Sequence, residues 1–175
     1  MPRLVIVLPL ESLRTGESFL VPEWPLHVTV LSPFATEEEP HVLAEVVTRT
    51  VAGFPVITAV AGGDELFGRR HNIPVTLITA NPALTELRRL LVENIRPFAS
   101  VPSEPAFTGT DFRPHVTIKQ GRRVDVADEL LLDQIALVDM AARSLPHGRT
   151  VLATFPLGLT FSPGLTFPLG LGEAE

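Results

Sequence analysis

The sequence predicts an α+β fold, and three observations predict it. Several runs of strand length are rich in β-branched and aliphatic residues and are bounded by Pro or Gly. Two longer stretches carry apolar residues at helical spacing behind recognisable start signals. The segments follow in the order β-β-α-β-β-α-β-α-β-β, which lacks the regular alternation of a doubly wound parallel sheet.

Taken in order, Arg3–Pro9 (RLVIVLP) reads as a buried strand closed by proline. The apolar Leu4–Leu10 lacks a small-residue cleavage site and runs into Glu11, so it reads as strand and not as a signal peptide. Pro22, Trp24 and Pro25 mark a loop. Leu26–Leu31 (LHVTVL) is a second strand, stopped by Ser32-Pro33. Thr36 and Glu39 form a capping-box pattern, and a helix should run from there to about Thr50, with Leu43, Val46 and Val47 on its apolar face and Gly53 closing it. Phe54–Val60 and Pro74–Ala80 read as strands, with polar turns at Gly62-Gly63 and Gly68–Asn72 between them. Asn81-Pro82 is a capping residue followed by proline at the first helical position. Leu84, Leu87, Leu90, Leu91 and Ile95 then form a buried stripe, and Pro97 ends the helix. Ser100–Gly109 reads as a proline-rich loop and Pro114–Lys119 as a strand. Asp125 should cap a short helix through Leu132. Gln134–Ala141 and Thr150–Pro156 close the fold as strands.

Composition limits what such a fold can do. Of 175 residues, 45% are hydrophobic and 19% charged, which supports a real core and argues against disorder. Mean hydropathy is +0.28, yet no run approaches the ~20 apolar residues of a membrane span. With no cysteine, disulfides, thiolate metal sites and a cysteine nucleophile are excluded, and a cytoplasmic location is expected. A net charge of −6 is unlike a protein that coats nucleic acid through many phosphate contacts. A nucleotide ligand should therefore be small, or gripped only at its end. Lys119 is the only lysine. The body is expected to span residues 1–157. Residues 158–175 form an apolar tail punctuated by Gly and Pro, in which GLTF occurs twice; it reads as a segment packed on the body or as a surface for a homodimer.

The chemistry lies in a repeated tripeptide. Pro25-Leu26-His27-Val28-Thr29-Val30 recurs as Arg113-Pro114-His115-Val116-Thr117-Ile118. In a strand, side chains alternate between faces, so His27 and Thr29 share one face while Val28 and Val30 share the other. The second copy behaves alike. Two such strands across a cleft would present two imidazoles and two hydroxyls. One histidine could take a proton from an attacking water or hydroxyl while the other protonates the leaving alkoxide, each transfer being typically worth ~10²–10⁴ in rate. Threonine hydroxyls could donate to the non-bridging phosphate oxygens. Trp24 and Phe112, each three residues before a motif histidine, are candidates to stack on a nucleobase; core packing is the competing fate. His41 and His147 read as surface residues. His71, beside Arg69 and Arg70, sits in a turn that borders the cleft or faces water.

The motifs HVTV (His27–Val30) and HVTI (His115–Ile118), 88 residues apart, resemble the paired signatures of the 2H phosphoesterase superfamily. HVTVLSPF (His27–Phe34) is similar to its 2′–5′ RNA ligase-like branch. The resemblance implies two pseudo-symmetric lobes of antiparallel sheet with outer helices around a central cleft. It also implies metal-free cleavage of 2′,3′-cyclic phosphates or 2′–5′ linkages, without a cofactor, on a nucleotide or RNA end. Carried over, His27 and His115 become the acid–base pair, with His115 as base and His27 as acid, and Thr29 and Thr117 become phosphate ligands. Many members carry an arginine where this chain has Gln120. Lys119, which continues the His115/Thr117 face, is the expected substitute, with Arg122 or Arg123 as second choices. Two alternatives stand beside this reading: a nucleotide-binding module without catalysis, and a nuclease that degrades cyclic or 2′–5′-linked signalling oligonucleotides. Competing enzyme classes lack their motifs, since no HxH, HExxH, G-x-S-x-G or phosphate-cradling glycine loop occurs.

Overall fold

A computed structural model describes residues 2–140 and 148–159. Its strands, all antiparallel, are β1 (Arg3–Pro9), β2 (Ser18–Phe19), β3 (His27–Ala35), β4 (Ile57–Phe67), β5 (Ile73–Ile78), β6 (His115–Thr117), β7 (Glu129–Leu132), β8 (Gln134–Asp139) and β9 (Arg149–Pro156). They form one sheet in the order β2-β9-β8-β1-β3-β6-β5-β4-β7. The two halves of the sheet meet where the motif strands β3 and β6 pair, at Val28 opposite Val116. The α+β class and the two-part antiparallel architecture follow expectation.

Two helices cover one face. In α1 (Pro40–Val51) the residues Leu43, Val46, Val47 and Val51 are buried, and in α2 (Pro82–Ile95) Leu84, Leu87, Leu91 and Ile95. Together with Ile6, Leu8, Val28 and Val116 from the sheet they make the main core. The Asn81 side chain accepts from Leu84 N–H at 3.1 Å, the expected cap. The opposite sheet face carries a smaller cluster, Val5, Val7, Leu13, Trp24, Ala136, Val138 and Val151. This second face is the one on which the motif histidines emerge.

Five local expectations are corrected. Ser32-Pro33 does not stop the second strand: β3 continues to Ala35, and an extra residue is absorbed where the β1 register jumps between Leu4–Phe34 and Ile6–Leu31. The bulge accommodates the proline, which has no N–H to donate. Gly62-Gly63 is likewise a bulge inside β4 and not a turn, with the register shifting between Ala61–Ile78 and Asp64–Thr76. Thr36 does not cap the first helix. It is fully buried, its hydroxyl donating to Phe98 O at 2.9 Å and accepting from Glu38 N–H at 3.1 Å, and the helix starts at Pro40. Asp125 caps no helix. It closes a turn with Asp128, and Glu129–Leu132 pairs with β4 as a strand whose burial alternates. The expected loop at Ser100–Gly109 holds one helical turn, α3 (Pro105–Thr108). The GLTF repeat lies beyond Leu159 apart from its first two residues, outside the described residues, as does His147.

Candidate active site

Each motif alternates as its sequence requires. Val28 and Val116 are buried at 0% and 1% exposure, while His27, Thr29, His115 and Thr117 are half-buried on the opposite face. Antiparallel pairing about Val28–Val116 sets His27 across from Thr117 and Thr29 across from His115. The two histidines therefore lie on a diagonal, where neighbouring positions are roughly 7–8 Å apart. All four motif side chains converge on one patch spanning the join of the two half-sheets.

The imidazoles are held in the same way. His27 Nδ1 lies 2.8 Å from Pro25 O, and His115 Nδ1 lies 2.8 Å from Arg113 O. A carbonyl only accepts, so each Nδ1 carries the proton and each Nε2 is left with a lone pair when the ring is neutral. The carbonyl two residues upstream does this in both motifs, that of Pro25 in one and of Arg113 in the other. Beyond that the environments differ. His27 stacks on Trp24 at a ring separation of 4.0 Å. His115 meets the edge of Phe67 at 4.6 Å, and Arg113 lies 5.1 Å over the same phenyl ring while pairing with Glu65. Burial pushes the His27 imidazole down to about 4, aided by the positive charges of Lys119 and His115 and opposed by the bond to Pro25.

Trp24 is 7% exposed and spends one ring face on His27, so it positions the imidazole rather than offering an open platform for a base. Lys119 reaches the same indole: its Nζ donates to Trp24 O at 3.4 Å and lies 5.0 Å from the ring centre. Burial, then Arg122 and Arg149, push Lys119 down to about 8. Arg122 donates to Pro22 O at 2.8 Å. Lys119 and Arg122 close a tight turn through reciprocal backbone bonds of 3.0 and 2.8 Å, with Gln120 and Gly121 at φ of 48° and 79°. Gln120 thus occupies an exposed turn corner, while Lys119 and Arg122 at the ends of the turn carry the charge. Arg123 is committed elsewhere, to Asp64 at 2.8 Å.

On the other side of the join, a cavity of about 580 Å³ is lined by Thr29, His115, Phe67, Phe112, Arg88 and Asp111 among others. Phe112 faces this space with Arg88 lying 5.0 Å over its ring. His71, in an exposed turn at φ 47°, also borders it. His41 is on the surface, as expected. Sequence reasoning missed Phe67, Glu65, Arg113 and Arg149. Only Arg113 carried a local signal, through its place in the repeated motif; the others reach the site by strand pairing.

The fold is shared with solved structures. The Thermus thermophilus protein TT0787 superposes with a TM-score of 0.59 at 19% identity, covering 89% of this chain and 97% of its own. E. coli LigT in apo form gives 0.56 at 16% identity over 90% of this chain and 98% of LigT. LigT complexed with 3′-AMP gives 0.55 at 16% identity over 90% and 99%. No curated protein sequence matches the chain. No described helix is long and apolar enough to cross a membrane. The family model of the 2′-5′ RNA ligase superfamily matches residues 2–147, both histidine motifs included, and the chain belongs to that superfamily.

Proposed function

We propose that this protein is a phosphodiesterase that cleaves 2′,3′-cyclic phosphates or 2′–5′ linkages at nucleotide or RNA ends by two-histidine acid–base catalysis, without a metal. The observation that carries the reading is the matched pair of imidazoles, each with Nδ1 on a backbone carbonyl and Nε2 free, on adjacent strands beside two threonine hydroxyls. A phosphate over this patch meets Nε2 from two directions. Thr29 and Thr117 donate to its non-bridging oxygens, and Lys119 offsets its charge. The E. coli relative complexed with 3′-AMP, with ATP and with phosphate supports a phosphate-bearing ligand in this fold.

The roles of the two rings differ by environment. Burial disfavours the His27 imidazolium and so leaves its Nε2 lone pair available in the free enzyme, whereas His115 lines the open cavity. We therefore assign His27 as base and His115 as acid, the reverse of the distribution implied by family resemblance. Turnover of 2′,3′-cyclic mononucleotides and 2′–5′ diadenylate in excess EDTA tests the whole reading. Wild type should turn over, and His27→Ala and His115→Ala should each lower kcat by about 10²–10⁴. Activity that EDTA abolishes, or that survives both substitutions, rejects it.

A further inference from the structure

The Trp24 side of the site holds more positive charge than one phosphate needs. Lys119 Nζ lies 5.0 Å and the Arg149 guanidinium 5.6 Å from the Trp24 ring centre. Arg122 reaches the same corner, 3.5 Å from Trp24 O. Among the described residues, neither Lys119 nor Arg122 forms an ion pair with a carboxylate. Burial works against the charge of Arg149, which Asp139 favours and whose Nη1 donates to Met140 O at 2.8 Å. Three cations around one indole repel one another, and Lys119 and Arg149 have given up part of their hydration while Arg122 stays exposed. Two buried donors in this corner, Trp24 Nε1 and Arg149 Nε, also have no acceptor among the described residues. Trp24 itself is over nine-tenths buried. Desolvated charge and unmet N–H groups of this kind are costly unless something rich in acceptors completes them.

The corner flanks the reacting centre on its β1 side, with Trp24 itself stacked on His27. Arg149 begins β9, which lies across β8 and β1 from β3, whereas His115 and the cavity lie on the β6 side. Lys119 bridges the two, since its charge acts on His27 and is acted on by Arg149. We propose that Arg149, Arg122 and Lys119 around Trp24 form a second anion subsite, which binds a further phosphate group of the substrate beside the scissile one. This rests on the phosphodiesterase reading and narrows it. The preferred substrate becomes an oligonucleotide end with at least two phosphates, lying from the Phe112 cavity across the histidines to Trp24, with a lone cyclic mononucleotide a weaker one.

Trp24 is the sole tryptophan, so the protein contains its own reporter for this corner. One arm of the test measures KM for 2′–5′ diadenylate without a terminal phosphate and with one at either end. A phosphate at one end should lower KM about tenfold, and Arg149→Met should erase that ratio while Arg149→Lys retains much of it. The other arm follows Trp24 fluorescence during titration with inorganic phosphate and with pyrophosphate. Pyrophosphate should bind about tenfold more tightly, and the preference should collapse in Arg149→Met, with circular dichroism confirming that each variant is folded. A terminal phosphate that changes KM by less than twofold at either end, with phosphate and pyrophosphate binding alike, overturns the subsite. Pyrophosphate preference without turnover of any diester upholds the subsite and rejects the catalytic reading instead.

Discussion

His27 and His115 share a hydrogen-bonding pattern but not a surrounding, and the difference is measurable. If buried His27 is the base, the acid limb of kcat/KM, which reports the free enzyme, falls near pH 4. A bound phosphate anion favours the imidazolium, so the limb of kcat should lie at higher pH. An acid limb of kcat/KM that lies well above pH 4 would remove His27 from the base role. Lys119 makes a second prediction, at the alkaline end. Its ammonium is held down to about 8, so positive charge beside the phosphate is lost as pH rises through that value. KM should climb several-fold between pH 7.5 and 9, and Lys119→Arg should flatten the rise, because guanidinium stays charged throughout. A pH-independent KM in wild type would remove Lys119 from substrate binding.

At the scale of elements, the turn from Lys119 to Arg122 sets two cations against Trp24. Gly121 holds φ 79°, and an added Cβ would meet no heavy atom within 4 Å, so the strain of a substitution is purely conformational. Gly121→Ala should cost about 1 kcal/mol of stability and raise KM with kcat nearly unchanged. Thermal melts and steady-state kinetics check both, and an unaltered melt contradicts the strain argument. These elements also show how far a sequence can be read. The His-Val-Thr strands were legible because alternation needs only neighbouring residues, and Asn81-Pro82 because a helix start is local chemistry. Gly62-Gly63 reads locally as a turn and Ser32-Pro33 as a strand end. Only their partner strands, β5 and β1, reveal them as bulges within longer strands. Phe67 reaches His115 because β4 continues past such a bulge, and Arg149 comes to Trp24 from β9, more than a hundred residues along the chain. Local sequence carries no trace of either meeting.

For the whole molecule, the site constrains stability as well as chemistry. His27 is held near 4 in the folded protein, against about 6.5 for a free imidazole, so the unfolded chain takes up the proton first. Its contribution to stability is therefore intact above pH 6.5 and is lost as pH falls towards 4. At pH 5 the loss is on the order of 2 kcal/mol. His27→Gln should melt at a higher temperature than wild type at pH 5 relative to the same comparison at pH 7.5; an equal offset at both values contradicts the linkage. A further global property is the contrast between a net charge of −6 and the cations gathered at Trp24. The overall field repels polyanions, while the corner itself attracts a short acidic end. Finally, β3 and β6 share a single register pair, the shortest ladder between strands among the described residues. A ligand touching both motifs straddles that seam and acts as a rivet between the half-sheets: occupancy braces the very joint on which the spacing of the imidazoles depends, and product departure leaves it slack again.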